Sequence, residues 1–344
     1  MDIKGLSFAE LKNLIAMHGF PSYRANQIYE WLYRKQAGTW NEMTNLPLEM
    51  RQALEAGGIH FQSIRRLSQA VADDGTIKYL FGLNDGHTIE SVYLPEPDRK
   101  TVCLSPQAGC GMGCLFCATG QMGLNRNLTV GEIVDQPLQI SKLNQVRIDN
   151  LVIMGQGEPF ANYEAVLKAI RLFNDERAFG IGARHITLST CGLTSGIMKL
   201  AEESLQVNLA VSLHAADNEL RDHLMPINKR YPLSDLIAAC RHYLAATGRR
   251  ITFEYVMIAG INDRTDDLTK LGQLLKGLLC HVNLIPFNRV PQIPFQASKP
   301  ERIREFAAVL KDKWHIETTV RKERGASLAA ACGQLQGKWL EQQK

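Results

Sequence analysis

Apolar positions recur at two different periods along this chain, and the change of period divides it. Over the first 60 residues or so the spacing is helical. Ser7 and Glu10 make a capping box ahead of Leu11, Leu14 and Ile15. A second amphipathic segment, from about Tyr23 to Lys35, carries Ile28, Trp31 and Leu32 on one face, and a third helix is predicted from about Pro47 to Ala56, where the proline suits a helix start. Between about Ser63 and Leu94 the pattern turns to β. Ile77–Leu83 and Thr88–Leu94 flank Asn84-Asp85-Gly86, a hairpin turn signal.

From about residue 100, short apolar runs alternate with amphipathic helical segments. Strands are predicted at Thr101–Leu104, Asn150–Met154, His185–Leu188, Val207–Leu213, Ile251–Met257 and Val282–Pro286, with a seventh at Ile316–Val320. Helices open at the capping box Thr129-Val-Gly-Glu132 and cover about 163–173, 233–246, 267–278 and 301–311. Such alternation predicts a parallel sheet with helical crossovers. Six or seven units fall short of a closed eightfold barrel. The expected fold class is therefore α/β, a partial barrel of the (β/α)6 type or an open sheet. Residues 1–62 form an N-terminal helical accessory domain, 63–98 a β-hairpin extension, and 99–344 the barrel.

Composition narrows the class without naming a function. The 344 residues are 45% hydrophobic and 22% charged, which excludes a disordered or fibrous chain. The N-terminus, Met-Asp-Ile-Lys-Gly-Leu-Ser-Phe, lacks the basic and apolar regions of a signal peptide, and no run of 18 apolar residues occurs. A cytoplasmic location is expected. The net charge of +4 permits an anionic partner without demanding one.

The eight cysteines change the picture more. Cys103, Cys110, Cys114 and Cys117 crowd into fifteen residues; Cys191, Cys240, Cys280 and Cys332 are dispersed. In a reducing compartment, clustered cysteines bind metal or do chemistry rather than form structural disulfides. Cys110-Gly-Met-Gly-Cys114-Leu-Phe-Cys117 offers three thiols on a glycine-rich loop, a set that suits iron–sulfur or zinc chemistry. A structural zinc site closes four ligands, and an ordinary iron–sulfur protein also supplies four cysteines. Three leave one iron of a [4Fe–4S] cluster open, while a zinc knuckle borrowing a distant fourth ligand is the alternative.

Placement supports chemistry as well. Ligands of α/β folds bind at the carboxyl ends of the strands. The cysteine cluster follows the first predicted parallel strand, Gly155-Gln-Gly157-Glu158-Pro159 the second, and Ser189-Thr-Cys-Gly192 the third. Ser212-Leu213-His214 ends the fourth, and Asn288 follows the sixth.

Three cysteines in this spacing, with an aromatic residue before the last, resemble the signature of radical S-adenosylmethionine (SAM) enzymes. Over essentially its whole length the chain resembles the RlmN-type 23S rRNA and tRNA adenine methyltransferases. The shared motifs run in order: Cys-x3-Cys-x-Phe-Cys-Ala-Thr-Gly, Gly157-Glu158-Pro159, Leu188-Ser189-Thr190, Ser212-Leu213-His214-Ala215 and Met225-Pro226-Ile227-Asn228. Glu254-Tyr255-Val256-Met257, Asn283-Leu-Ile-Pro286-Phe-Asn288 and Ala331-Cys332-Gly333-Gln334-Leu335 complete the set.

The resemblance implies methylation of carbon-2 of an adenosine in the peptidyl-transferase region of 23S rRNA and of the adenosine 3′ of the anticodon in tRNAs. It implies that Cys110, Cys114 and Cys117 hold a [4Fe–4S] cluster. It also implies that Gly157, Glu158, Ser189, Ser212, Leu213, His214 and Asn288 contact SAM, two molecules of which serve each turnover. Cys332 would carry the methyl group, Cys103 would release the product through a transient disulfide with Cys332, and Glu90 would remove the carbon-2 proton. An electron donor such as flavodoxin and a monomeric state are further expectations.

Local sequence alone reads several of these residues differently. It makes Cys332 a small buried hydrophobe, Cys103 a strand-interior residue, Glu90 an exposed strand carboxylate, and Ser189 or Asn288 a loop cap. Cys191, Cys240 and Cys280 read as packed thiols. Basic residues such as Arg24, Arg34, Lys35, Arg65 and Arg66 interleave with Tyr23, Tyr29, Trp31 and Tyr33 in and beside the N-terminal segment, types that RNA contacts need. Two rivals stay open: a Cfr-type enzyme methylating carbon-8, which shares the cysteines, and a zinc-dependent RNA-binding module without catalysis.

Overall fold

A computed structural model describes residues 1–61, 64–289 and 293–321. Twelve strands occur among them: β1 Ile64–Val71, β2 Ile77–Leu83, β3 Thr88–Pro95, β4 Lys100–Cys103, β5 Gln107–Gly109, β6 Leu124–Asn127, β7 Asn150–Ile153, β8 Ile186–Thr190, β9 Asn208–Ser212, β10 Ile251–Met257, β11 Cys280–Pro286 and β12 Glu317–Val320. Ten join one open sheet in the order β1-β2-β3-β4-β7-β8-β9-β10-β11-β12, and β5 pairs with β6 separately. Pairing is antiparallel from β1 to β4 and parallel from β4 to β12. The seven predicted parallel strands are all present, and the hairpin lies where Asn84-Asp85-Gly86 puts it. The fold is the expected partial barrel, continued at one edge by the antiparallel strands.

Register separates two faces of the sheet, because paired residues share a face and neighbours along a strand do not. One face carries Val102, Leu151, Leu188, Leu209, Phe253 and Leu284, all fully or almost fully buried. Against it pack the crossover helices, including Tyr163–Asn174, Leu233–Thr247 and Pro300–Asp312. The other face carries Thr187, Ser189, Asn208, Ser212, Thr252, Glu254, Asn283 and Thr319. Closed barrels fill their interior with branched aliphatic side chains. A polar row cannot form such a core, and most of these residues keep partial exposure; the inner face is left partly open to solvent. Ser212, Glu254, Asn283 and Thr319 stand in one register row. Asn283 donates to Glu254 at 2.8 Å and the Thr319 hydroxyl to Asn283 Oδ1 at 3.3 Å.

Both expected capping boxes form, Ser7 with Glu10 and Thr129 with Glu132. The N-terminal helices dock on the helix Val130–Asn144 and share one apolar core with the sheet. Their anchor is a buried ion pair, Lys4 Nζ to Asp135 Oδ1 at 2.6 Å, whose second carboxylate oxygen accepts from Ile64 N. The segment around Trp31 departs from a simple helix: Arg24–Tyr29 is α-helical and continues as a π-helical turn over Glu30–Arg34. Sequence pattern also misses β5, β6 and the helices Thr194–Glu202 and Asn218–Leu224. The two strands have three and four residues, too few for a period to show.

Candidate active site

The short β5–β6 pair closes the base of the cysteine loop. Cys110 N donates to Gly123 O at 2.8 Å, and Gly109 has φ +76° with room for no side chain, since a Cβ there would stand 2.1 Å from Gly123 O. Arg126 on β6 binds both carboxylate oxygens of Glu132 at 2.7 and 2.8 Å and also pairs with Asp85 of the hairpin turn. The loop's return strand is thereby tied to the capping-box helix. Beyond the clamp, Leu115 N donates to Leu224 O at 3.0 Å, and Cys114 packs with Leu224, Met225, Val256, Ile258 and Phe287.

The three thiols stand close enough to perturb one another. Burial, with the neighbouring Cys114 and Cys117 adding to it, pushes Cys110 up to about 12. Burial also raises Cys117, with Cys114 adding to the effect. Cys114 is lowered, chiefly because the Cys191 thiol donates a hydrogen bond to it, and Cys191 is raised correspondingly. Backbone N–H groups point at the sulfurs, Met112 at Cys110 and both Gly120 and Thr119 at Cys117. Such bonds stabilise thiolates and tune iron–sulfur clusters. Among the described residues, no three His, Cys, Asp or Glu side chains converge on a single ion. The donor set fits a cluster: soft thiols, N–H bonds to sulfur and an apolar wall, with mutual repulsion that a cationic core relieves.

Around the cysteine loop the other post-strand segments close in. Gly157, at φ +108°, lies against Gln107, whose Cβ would be 2.5 Å from an added side chain. Glu158 is fully buried. Its Oε1 accepts from Phe160 N at 2.9 Å and its Oε2 from Cys191 N at 2.6 Å, so the carboxylate joins the loops after β7 and β8. Burial raises its pKa against these two backbone hydrogen bonds and two more from the Thr190 and Cys191 side chains. Ser189 and Ser212 are half-buried on the inner face, Leu213 is buried, and Asn288 is exposed just past β11.

His214 adopts φ +59°, a conformation L-residues avoid unless their surroundings enforce it. The enforcement is visible: Nδ1 accepts from Val256 N at 3.0 Å, its carbonyl accepts from Asn262 at 2.9 Å, and its ring meets Phe116 edge-on at 4.7 Å. Because Nδ1 is the acceptor, the proton sits on Nε2. Burial, aided by Arg221, pulls its pKa down to about 3.

Glu90 and Cys103 share the inner face, through the pairings Leu80–Glu90, Lys78–Val92 and Val92–Cys103. Glu90 is 3% exposed, not the exposed carboxylate its local sequence suggests; its backbone carbonyl accepts from Ser105 Oγ at 2.5 Å and its backbone N–H donates to Gln156 Oε1 at 3.1 Å. Burial pushes Cys103 up to about 11, against the attraction of Arg321, which follows β12 at the far end of the sheet. Arg321 therefore acts on β4 from beyond the last parallel strand. Among the described residues Cys103 forms no disulfide; Cys332, its partner in the expected transient disulfide, lies outside the described residues. Cys191 is also corrected. It is no remote packed thiol but the neighbour of Cys114 and Glu158. Its position after β8, in the loop Ser189-Thr-Cys191-Gly192, is the signal that could have placed it.

Two family models match, the radical SAM superfamily over residues 104–272 and the ribosomal RNA large subunit methyltransferase N-terminal domain over residues 1–57. A probable dual-specificity RNA methyltransferase RlmN of Chloroflexus aurantiacus is 48% identical, covering 96% of this chain and 92% of its own. That of Moorella thermoacetica is 48% identical with 97% of each chain covered. The chain belongs to the RlmN family. A crystal structure of a radical SAM methyltransferase from Sphaerobacter thermophilus, 48% identical, superposes with a TM-score of 0.93 over 97% of this chain and 98% of that one. As an RlmN-family member the chain is a SAM-dependent RNA methyltransferase that uses a [4Fe–4S] cluster. The zinc-binding rival is thereby overturned, and the Cfr-type rival is not favoured. Among the described residues no helix is long and apolar enough to cross a membrane.

Proposed function

We propose that this enzyme methylates carbon-2 of adenosine in 23S rRNA and in tRNA, with Cys332 as the methyl carrier. Cys110, Cys114 and Cys117 hold the cluster. Glu158, Ser189, Ser212, His214 and Asn288, with the backbone at Gly157 and Leu213, orient SAM. Bound together, cluster and SAM supply a carbon radical able to abstract hydrogen, chemistry the protein side chains cannot perform. Glu90, on the inner face of the sheet, takes the carbon-2 proton. Cys103, held as a thiol at neutral pH, resolves the Cys332 adduct by attacking its sulfur once deprotonated. Residues 1–62, with their basic and aromatic side chains, contact the RNA; residues 63–98 carry Glu90, and residues 99–344 carry the cofactor site. The enzyme works as a cytoplasmic monomer, fed by a flavodoxin-type one-electron donor.

What supports the reading is that Glu90 and Cys103, which this reaction needs beyond ordinary radical SAM chemistry, share one face of the sheet beside the cysteine loop. The deciding experiment is anaerobic reaction with 23S rRNA fragments and tRNA, followed by mass mapping of the nucleosides. 2-Methyladenosine is expected; 8-methyladenosine refutes the proposal. Cys332→Ala should still cleave SAM to 5′-deoxyadenosine yet transfer no methyl group.

A further inference from the structure

Arg221, on the helix Asn218–Leu224, is 0% exposed. Burying a guanidinium that deep is costly unless an anion matches it. Its hydrogen-bond acceptors are all neutral: Leu213 O at 3.1 Å, Ser212 O at 3.1 Å, Cys191 O at 2.8 Å and Asn228 Oδ1 at 2.8 Å. Asp222 lies nearby, but its carboxylate accepts from Asn228 Nδ2 at 2.6 Å. The other groups that face the guanidinium electrostatically are thiols, Cys191, Cys114 and Cys240. The helix that carries it ends at Leu224, whose carbonyl receives Leu115 N of the cysteine loop at 3.0 Å. A buried cation therefore stands behind the cysteine loop without an acidic hydrogen-bond partner among the described residues.

We propose that Arg221 is a positioning residue that raises the reduction potential of the iron–sulfur cluster. The inference rests on Cys110, Cys114 and Cys117 being the cluster ligands. With three thiolates the oxidised cluster carries a net negative charge, and one-electron reduction adds another. A fixed positive charge in a low-dielectric wall stabilises the reduced form more than the oxidised one. The electron comes from the one-electron donor that the radical reaction already requires, and no bond forms or breaks. The same guanidinium ties the loop after β8 to the end of β9, so charge and loop geometry are supplied by one side chain.

The test is a redox titration of the anaerobically reconstituted full chain with dithionite, followed by EPR of the reduced cluster. Three variants accompany wild type: Arg221→Gln, Arg221→Lys, and the double variant Asn228→Asp with Asp222→Asn. The double variant keeps Arg221 and the net charge but moves a carboxylate from position 222 onto the guanidinium. Arg221→Gln and the double variant should each lower the reduced-to-oxidised ratio at fixed potential by tenfold or more, a shift of at least about 59 mV for one electron. Arg221→Lys should stay near wild type. Loaded variants with wild-type potentials overturn the proposal. So does failure of all three to hold iron, since that makes Arg221 a structural tie whose charge is irrelevant. Wild-type protein that binds no cluster would instead sink the ligand assignment.

Discussion

Replacing Gly109 with alanine should loosen the cysteine loop without unfolding the protein. Gly109 sits at φ +76°, where an L-residue costs about 1–2 kcal/mol. Its new Cβ would stand 2.1 Å from Gly123 O, a backbone atom that cannot rotate away. β5 and β6 must separate, breaking the bond from Cys110 N to Gly123 O, worth about 1 kcal/mol. Together these disfavour the closed loop by about 3 kcal/mol, or about 100-fold. The assay is the rate at which an external chelator removes iron from the anaerobically reconstituted protein, with circular dichroism as a check on the fold. Iron should leave about 100-fold faster than from wild type. Gly260→Ala is the control: φ is +71° there, but nothing lies within 4 Å of the added Cβ. If Gly109→Ala releases iron at the wild-type rate, the loop is not held by this clamp.

Lys4→Met should destabilise the fold by about 3–5 kcal/mol in urea unfolding, because it strands Asp135 as a buried, unmatched carboxylate. Adding Asp135→Asn in that background should recover part of the loss. Cys103, with its pKa near 11, should alkylate slowly at neutral pH and accelerate as pH rises through 11, read by mass spectrometry of the labelled peptide. His214 stays neutral in the folded protein down to about pH 3, whereas the unfolded chain takes up its proton near the ordinary value of 6.5. Stability should then fall on acidification below that value, by up to about 1.4 kcal/mol per pH unit. Urea midpoints between about pH 7 and pH 5 measure this contribution, and His214→Gln should remove it.

Much of the architecture was readable before any coordinates. Each of the seven parallel strands had an apolar run to mark it, since a strand with helices packed against it buries alternate residues whatever its neighbours are. Caps at Ser7 and Thr129 were readable for a similar reason: the side chain that satisfies the helix end lies within three residues of it. Features made by pairing across distance were invisible. β5 and β6 are strands only because each has the other. Glu90 looked exposed because nothing near it in sequence shows how the folded sheet buries it. Cys191 looked inert because its partners, Cys114 and Glu158, are brought beside it only by the sheet.

By itself, then, the sequence determined the period of most elements, the order of the parallel strands along the chain and the spacing of three thiols on a glycine-rich loop. Those are local quantities, carried by residues a few positions apart. It also carried the family resemblance, because motif order survives without coordinates. Only the tertiary structure decided which face of the sheet is polar, which loops meet at Glu158, and where the buried charge of Arg221 is aimed. These depend on register and curvature. A register pair joins residues dozens of positions apart, and desolvation shifts a pKa according to everything packed around a group, whatever its distance along the chain.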